Sequence, residues 1–316
     1  MTLNSSAVLD ARKRIRDKVN QTPVMTSHTL DAAASAQLFF KCEHLQKIGA
    51  FKARGATNAV FLLGEAAARR GVVTHSSGNH AAALARAAAL RSIPAHIVMP
   101  ENAPQAKQAS VRRYGGEIIF CAPTLQAREE TARSVAERTG ATFIHPSNDL
   151  RVMAGQGTVA LELLEQVADL DLILAPVGGG GLLGGIAVAA KDTRPATQVI
   201  GVEPSGADDA QRSFRSGVLT PPVAPRSIAD GLLTSLGDNT FAAIRAHVDD
   251  IVTVSEESIV RSMRTLWEVL KQVVEPSGAV AYAALLEGQL KVAGKRVGII
   301  LSGGNLDLDR LPWQKA

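Results

Sequence analysis

An apolar run that leads directly into four consecutive glycines constrains this chain more than any other feature. Residues 172–177 are Leu, Ile, Leu, Ala, Pro and Val, residues 178–181 are all glycine, and a glycine pair follows at 184–185. The apolar run predicts a buried strand, and residues without side chains let successive backbone N–H groups converge on one anion at the start of the following helix. The segment therefore predicts a phosphate site at a strand-to-helix turn.

Two kinds of ligand, and a turn without any ligand, are compatible with this segment. Gly179, Gly181 and Gly184 follow the G-x-G-x-x-G order of dinucleotide-binding turns. Glu203 closes the next predicted strand, about 20 residues on, where an NAD site has its ribose-binding acid. A tight turn without a ligand is the least favoured interpretation, because four glycines cost much backbone entropy for a turn that one or two could make. The glycines alone leave open which phosphate would bind.

The composition favours a globular chain of two subdomains. With 316 residues, of which 46% are hydrophobic and 20% charged, the chain can bury a sizeable core. Its net charge of +4 comes from basic residues dispersed among acids, and only 4% of its residues are aromatic, which argues against nucleic acid as a partner. Its apolar stretches are too short or too interrupted to span a membrane, and residues 1–20 alternate apolar and charged side chains as in a surface helix. We therefore expect a cytoplasmic protein.

Helix-like and strand-like segments alternate along the chain. Predicted strands lie at 39–42, 72–75, 95–99, 117–121, 142–144, 172–177, 199–202 and 297–301, and predicted helices at 53–70, 80–90, 104–114, 124–139 and 155–167. Such alternation predicts an α/β fold with doubly wound, mostly parallel sheets, whose ligands bind at the carboxyl ends of the strands. Three loops of small residues, at 76–80, 178–181 and 302–304, are therefore expected to converge on one crevice.

One lysine distinguishes between the possible phosphate ligands. Lys52 lies among small and apolar neighbours, in the segment 47–56, near the start of a predicted helix. Burial there would lower the pKa of its amine and make it competent to form an imine. For Lys52 alone a solvated helix lysine would be the better interpretation, but the three converging loops favour the reactive amine.

Five short motifs follow one another along nearly the whole chain. They are GAFKARGA at 49–56, SSGNH at 76–80, GGGG at 178–181, EPSG at 275–278 and SGGN at 302–305. With these motifs the sequence resembles the fold-type II pyridoxal-phosphate (PLP) enzymes, in the branch of threonine and serine dehydratases and serine racemases. The resemblance implies two domains like those of the tryptophan synthase β subunit, with the cofactor in the crevice between them. Residues 1–68 and 148–316 would form the large PLP-binding domain, and residues 69–147 the smaller domain that closes over the substrate.

The resemblance also implies roles for individual residues. Lys52 would hold PLP covalently and, once released by the substrate amine, remove the α-proton, with Ser77 as a second acid or base on the opposite side of the substrate. The residues implied in cofactor binding are Phe51, Lys52, Asn79, Gly178, Gly179, Gly180, Gly181 and Ser302. The residues implied in substrate binding are Ser76, Ser77, His80, Arg128 and Ser235. Among the cofactor residues, the four glycines would bind the phosphate, Asn79 the phenolic oxygen, and Ser302 would face the pyridine nitrogen.

A second site is implied at the end of the strand that follows the glycines. The carboxylates of Glu203 and Asp209 and the carbonyl of Ala207 resemble the divalent-cation site of the racemase-like branch, and oxygen ligands suit Mg²⁺, Mn²⁺ or Ca²⁺. The alternative is a strand-end turn with exposed acids. The chain also departs from the family pattern in two places: Ala81 and Ala82 replace a common Gly-Gln pair, and Ser147 replaces a common asparagine. These departures leave the identity of the substrate open.

The sequence therefore predicts a PLP-dependent ammonia-lyase, or dehydratase, that converts serine, threonine or 3-hydroxyaspartate to a 2-oxo acid and ammonia. A hydroxyl at Ser302, unlike a carboxylate, does not force the pyridine nitrogen to be protonated, which favours loss of the β-hydroxyl over transamination. The alternatives are a serine or aspartate racemase, an NAD-dependent oxidoreductase, and a non-catalytic amino-acid or nucleotide sensor, which would not need Lys52. The resemblance also implies a homodimer with a small amino acid as its ligand.

Overall fold

Two sheets organise the computed structural model, which describes residues 2–314. The strands are β1 (Val24–Met25), β2 (Gln37–Lys41), β3 (Val72–His75), β4 (Ala95–Pro100), β5 (Glu117–Cys121), β6 (Thr142–Phe143), β7 (Leu172–Pro176), β8 (Gln198–Pro204), β9 (Asp250–Val254) and β10 (Arg296–Ile300). The helices are α1 (Ser5–Ile15), α2 (His28–Ala34), α3 (Lys52–Phe61), α4 (Glu65–Arg69), α5 (Asn79–Leu90), α6 (Gln105–Arg113), α7 (Leu125–Thr139), α8 (Leu150–Gln166), α9 (Gly181–Thr193), α10 (Asp209–Ser216), α11 (Asp238–His247), α12 (Glu256–Leu270) and α13 (Pro276–Leu286). Short 3₁₀ turns lie at Glu43–Leu45, Lys47–Gly49, Ser205–Ala207 and Asp230–Leu232.

The larger sheet has six strands in the order β1-β2-β10-β7-β8-β9. Its pairs are parallel except for β1 with β2. All five residues of β7 are buried, which explains its unbroken apolar sequence, because a parallel strand covered on both faces has no polar side. Since β10 lies between β2 and β7, the loop after β10 comes to the same sheet edge as the glycine loop after β7.

The smaller sheet has four parallel strands in the order β5-β4-β3-β6. The alanine-rich helix α5 packs against it with Ala81, Ala85 and Ala88 in one core cluster with Val72 and Ile97. Small side chains on both faces of α5 leave room for its neighbours, and almost the whole helix is buried. The α/β fold with two mostly parallel sheets is therefore confirmed.

Several predicted boundaries differ from the structure. The segment predicted as one helix over 53–70 forms α3 and α4, separated at Gly64, which has an extended backbone (φ −64°, ψ 156°). Helix α8 begins at Leu150, five residues before the predicted start, because the Asp149 side chain accepts from the amide of Arg151 as an N-cap. Within residues 2–314 no helix is both long enough and apolar enough to span a bilayer.

Candidate active site

Lys52 is the first residue of α3 and lies at the junction of the two sheets. Its amine donates a hydrogen bond of 2.8 Å to the carbonyl of Pro146, and Nζ lies 5.1 Å from the centre of the Phe51 ring. Desolvation by the surrounding protein lowers the pKa of this amine to about 8. The side chain nevertheless remains partly accessible from the crevice. Lys52 is thus an amine that can lose its proton near neutral pH.

Main-chain pairing brings Lys52 together with the loop after β10. Ala50 forms an isolated antiparallel bridge with Gly303, and the amide of Phe51 donates to the carbonyl of Ser302 over 3.0 Å. The Ser302 hydroxyl itself is buried, and its nearest acceptor is the carbonyl of Ser277 at 3.4 Å. Residues some 250 positions apart in the sequence therefore share one wall of the crevice.

Asn79 joins this wall from the smaller sheet through a buried carboxylate. Its Nδ2 donates to Oε1 of Glu275 over 2.8 Å, and its Oδ1 accepts from Nδ2 of Asn305 over 2.8 Å. The second oxygen of Glu275 accepts from the amide of Asn305 over 3.0 Å. Burial, and after it the charge of Asp230, raises the pKa of Glu275 to about 7. Glu275 fixes the orientation of the Asn79 amide, a role that its motif alone did not indicate.

The four glycines form a cradle at the start of α9. A Cβ atom on Gly178 would lie 2.7 Å from the Cα of Leu232, one on Gly179 would collide with Oγ of Ser147, and Gly180 has a φ of +78°. Within residues 2–314, the amide groups of Gly178, Gly179 and Gly180 donate to no carbonyl. Free amides at a helix N-terminus are suited to bind a phosphate. The cradle has the shape and the donors that a cofactor phosphate requires.

A short turn connects Lys52 with the glycine cradle. Nδ1 of His145 accepts from the amides of Ser147 (3.1 Å) and Asn148 (2.8 Å), which folds the chain so that the Pro146 carbonyl reaches Lys52 while Ser147 packs against the glycines. Burial lowers the pKa of His145 to about 4, so the ring is neutral. The sequence analysis singled out Ser147 only as a departure from the family pattern, and the role of the turn was missed.

The remaining residues predicted to bind substrate lie around the crevice at different depths. Ser76 and Ser77 are partly exposed in the loop between β3 and α5, where Oγ of Ser76 is 3.4 Å from the amide of Gly78. His80 is buried, its Nε2 is 3.3 Å from the carbonyl of Ile144, and its Nδ1 is a buried atom with no hydrogen-bond partner in the described part of the chain. The loop thus offers two accessible hydroxyls above one buried imidazole.

Arg128 and Ser235, the other two residues predicted to bind substrate, lie on α7 and in the loop before α11. Arg128 is half-buried on α7, and the only hydrogen bond of its side chain within the described residues, of 3.4 Å, is to the carbonyl of Thr124. Ser235 is exposed in the segment between the turn Asp230–Leu232 and α11. Its neighbour Thr234 has a hydroxyl 3.3 Å from the Cβ position of Gly179. Within residues 2–314, neither Arg128 nor Ser235 forms a hydrogen bond with Lys52.

The two acids of the predicted cation site are buried beside each other. Glu203 lies in β8 and Asp209 begins α10, with side chains 1% and 3% exposed. Both oxygens of Glu203 accept from the first turn of α10, at Ala210 (3.3 Å) and Gln211 (2.8 Å), which argues against a role in binding a ribose. Oδ2 of Asp209 is buried without a partner in the described residues. Residues 2–314 contain no cluster of three or more His, Cys, Asp or Glu side chains suited to a metal ion.

Comparisons with known proteins agree with this site. The family model of pyridoxal-phosphate dependent enzymes matches residues 15–303. The chain is 52% identical over 306 residues to beta-hydroxyaspartate dehydratase of Paracoccus denitrificans (strain Pd 1222), with 97% of each chain covered. It is 50% identical over 311 residues to serine racemase of Arabidopsis thaliana, with 96% of this chain and 94% of the relative covered.

The fold also matches a solved structure over nearly the whole chain. The structure of maize serine racemase matches with a TM-score of 0.96 and 47% identity, covering 98% of this chain and 95% of the other. The resemblance inferred from the five motifs is therefore confirmed by both sequence and fold. The chain belongs to the family of pyridoxal-phosphate-dependent enzymes.

Proposed function

We propose that this enzyme is a PLP-dependent ammonia-lyase that converts a β-hydroxy amino acid to a 2-oxo acid and ammonia. The observation that carries the proposal is the desolvated amine of Lys52, held by the Pro146 carbonyl beside the Ser302 loop. The surrounding residues fit PLP, because the glycine cradle has free amides for the phosphate, and the Asn79 amide, fixed by Glu275, would bind the phenolic oxygen. The name of the Paracoccus relative describes a dehydration of this kind.

The chain's own residues have three tasks in this proposal. PLP, when bound, withdraws electrons from the α-carbon of the substrate. The neutral amine of Lys52 then removes the α-proton from the face that it occupies. The loop with Ser76, Ser77 and His80 receives the α-carboxylate, assisted by Arg128 and Ser235. The uncharged hydroxyl of Ser302 keeps the electron withdrawal moderate, so that the β-hydroxyl leaves rather than the amino group being transferred.

Spectroscopy and turnover of the purified protein test this proposal. We expect a visible absorption band that borohydride discharges, and release of ammonia and a 2-oxo acid from serine, threonine or 3-hydroxyaspartate. Lys52→Ala should abolish both the band and the turnover with little change in the fold, because the substitution removes the proposed amine and little core volume. Near-wild-type turnover by this variant would contradict the mechanism. Quenching of NADH fluorescence without a visible band would instead support the oxidoreductase.

Racemisation is a second candidate, favoured by Ser77 and by the racemase relative. Ser77 is an accessible hydroxyl in the loop that follows β3, and the relative of 50% identity is a serine racemase. A second acid or base on the far face of the substrate would return a proton to the α-carbon with inverted configuration. Chiral chromatography distinguishes the two activities, since a racemase produces the other enantiomer before any 2-oxo acid accumulates.

We also propose that Glu203, Asp209 and the Ala207 carbonyl hold Mg²⁺, Mn²⁺ or Ca²⁺. Two buried carboxylates, one with an oxygen that lacks a partner, are unfavourable without a counter-charge, and hard cations prefer such oxygen ligands. Glu203 would meanwhile continue to accept from the first turn of α10. The cation would therefore stabilise the loop between β8 and α10 and take no part in the chemistry.

Two properties of the whole enzyme complete the proposal. The resemblance to the family implies a homodimer, and residues 1–20 alternate apolar and charged side chains, as expected of a surface helix. In the structure, residues 5–15 of this segment form α1, whose buried side chains are Val8, Ala11 and Ile15. Light scattering on the purified enzyme should give twice the mass of one chain, and a monomer mass at all concentrations would contradict the dimer.

A further inference from the structure

Two histidines lie side by side at the carboxyl edge of the smaller sheet. His75 ends β3, and His145 follows β6, the parallel neighbour of β3. The amide of Ile144 continues the ladder by donating to the carbonyl of Val73 over 2.9 Å. The two imidazole rings meet edge to face, with centroids 5.7 Å apart. The pair therefore lies at the point where the substrate loop leaves β3 and the Pro146 turn leaves β6.

The hydrogen bonds of His145 determine which of its ring nitrogens carries the proton. Since Nδ1 accepts from the amides of Ser147 and Asn148, the proton of the neutral ring must be on Nε2. Nε2 has no acceptor among residues 2–314, and the residue is partly exposed. His75 is also partly exposed, stacks on Phe143 at 5.5 Å, and hydrogen-bonds through its ring to no other residue in the same part of the chain, only to its own backbone. The pair thus offers ring N–H groups that no other residue occupies.

A cationic side chain lies near each of these two histidines, Arg128 near His75 and Lys52 near His145. Burial lowers the pKa of both rings, and the neighbouring charges lower it further: that of Arg128 acts on His75, and those of His75 and Lys52 act on His145. His80, buried behind the pair, is neutral for the same reasons. A site in which cations oppose the protonation of an imidazole is one that favours a bound anion.

The acids near the pair do not cancel this charge. Glu129 on α7 and Asp149 at the N-cap of α8 are the acids whose charges act on His75 and His145. Asp149 is already bound to the guanidinium of Arg151, with Nη2 2.6 Å from Oδ2. Glu129 is exposed to solvent. Arg128, which forms no ion pair within the described residues, is therefore the cation that remains beside His75.

We propose that His75 and His145 bind a second carboxylate of the substrate, carried on its β-carbon, and that the enzyme therefore prefers 3-hydroxyaspartate to serine and threonine. This inference rests on the proposed function, since it assigns the substrate class of the same site. Two N–H donors in a positive environment match a carboxylate, whereas serine has no further group at this position and threonine has only a methyl. His75 and His145 act here in substrate selection and take no part in the proton transfers.

Two substitutions remove the donors while they keep the local structure. In His145→Asn the side-chain oxygen can still accept from the amides two and three residues on, as in an Asx turn, but the Nε2–H group is lost. In His75→Phe the ring can still stack on Phe143, but it has no nitrogen. Each variant should lower the ratio of kcat/KM for 3-hydroxyaspartate to that for serine by about 10-fold or more, the effect of losing a hydrogen bond to a charged group.

His96→Asn is the matched control for both variants. His96 lies on β4 of the same sheet, opposite Val73, and its Nδ1 is 2.7 Å from the carboxylate of Glu117. This substitution should leave the ratio of the two kcat/KM values unchanged. Equal losses for both substrates in His145→Asn and His75→Phe would overturn the proposal, because a merely structural role would affect serine and 3-hydroxyaspartate alike.

Binding measurements on the wild-type holoenzyme test the subsite without turnover. L-Aspartate and L-alanine lack the leaving hydroxyl and differ by the β-carboxylate, so calorimetry should find tighter binding of L-aspartate, and the difference should shrink in both histidine variants. Binding of L-aspartate no tighter than that of L-alanine, in an enzyme that dehydrates serine, would overturn the subsite alone. Preference for L-aspartate in an enzyme that dehydrates no β-hydroxy amino acid would overturn the proposed function and leave the subsite standing.

Discussion

Among the single residues of this protein, Lys52 has an unusual environment, because its amine is desolvated and its hydrogen-bond acceptor is an uncharged carbonyl. An ammonium group that is buried without a carboxylate beside it is destabilised, and desolvation is the cause that lowers its pKa to about 8. The main chain around it is fixed from both sides, by the bridge to Gly303 and by the turn at His145. The fold therefore positions the amine and brings its deprotonation close to neutral pH before any ligand arrives.

The lowered pKa predicts how the cofactor-free enzyme takes up PLP. Only the neutral amine attacks the aldehyde of the cofactor, so the rate of uptake should rise as the pH increases through about 8 and level off above it. The change in visible absorption after mixing, recorded from pH 6.5 to 9.5, measures this rate. A rate that keeps rising up to the ordinary pKa of a lysine would show that the amine is solvated.

Ser77 gives a second prediction at this scale. In Ser77→Ala the handling of D-amino acids should be suppressed far more than elimination from L-amino acids, because Lys52 alone serves the face from which the L-proton leaves. A general acid or base contributes roughly 10² to 10⁴ in rate, so the selective loss should be large. Turnover of both enantiomers by the wild type and the variant measures it. Equal losses would leave Ser77 as a ligand of the carboxylate.

Some residues of the site can be identified from short sequence motifs, and others cannot. Lys52, the glycines and Ser302 lie in motifs that can be identified within a few positions. The acceptor of Lys52 is 94 residues away in the sequence, and Glu275 lies 196 residues from Asn79. No periodicity links such positions, because their contact depends on how the two sheets are placed. The Pro146 carbonyl and the role of Glu275 therefore emerged only from the structure.

At the scale of elements, the two buried carboxylates of the segment from β8 to α10, Glu203 and Asp209, destabilise the folded protein when they are ionised. Burial raises the pKa of Glu203 to about 9 and that of Asp209 to about 6, and the charge of Asp209 adds to the effect on Glu203. In the unfolded chain both acids are ionised at neutral pH, so the cation-free folded protein binds more protons than the unfolded one. Its stability should therefore fall as the pH rises from about 4.5 towards 9.

Divalent cations should reverse this loss of stability. Mg²⁺ or Mn²⁺ should raise the melting temperature more at pH 9 than at pH 6, because at the lower pH the cation has to displace protons from its ligands. A chelator should lower activity or melting temperature, and the double change Glu203→Gln with Asp209→Asn should make the enzyme indifferent to chelator and metal. If neither the chelator nor the added metal changes the wild-type melting temperature at either pH, the two acids bind no cation and only cap α10.

The elements differ in how well the sequence predicts them. Strands β3, β4, β5 and β7 agree with the predicted segments to within one residue at each end, because turn residues flank short β-branched or apolar runs. Helix α13 has no predicted counterpart: its residues 277–284 are all buried, so it lacks the polar face that a periodic pattern needs. Strand β9 and helices α10–α12 were also not predicted. Burial on all sides removed the signal for α13, whereas α10 and α12 each have a polar face and a periodic pattern that could have been identified.

At the scale of the whole molecule, the crevice is bounded by two sheets that contact each other through few side chains. Asn79 reaches Glu275 across it, and Lys107 on α6 pairs with Asp230 beside the glycine cradle. Both partners of the second pair are partly exposed, so it should contribute only about 0 to 1 kcal/mol to stability. These polar links are few and weak, so any movement of the smaller sheet takes place about the apolar contact that Ala56, Ala59 and Val60 of α3 make with its core.

We therefore propose that residues 69–147 move as one body when substrate binds, with boundaries near 68 and 148. Hydrogen exchange followed by mass spectrometry should show these residues responding together to L-aspartate or L-alanine, while strands β7, β8 and β10 keep their exchange rates. Protection confined to the loop at 76–80 would limit the response to a local ordering. Changes that spread equally over both sheets would contradict a separate moving domain.

The position of β10 has a consequence for the synthesis of the chain on the ribosome. The strand is made last but lies between β2 and β7, so the larger sheet stays divided until residue 300 has left the exit tunnel. The smaller sheet is built from one continuous stretch, residues 72–143, and can form while the rest is still being translated. A premature stop between residues 287 and 296 would therefore yield a chain with a complete smaller sheet, a divided larger sheet and no Ser302.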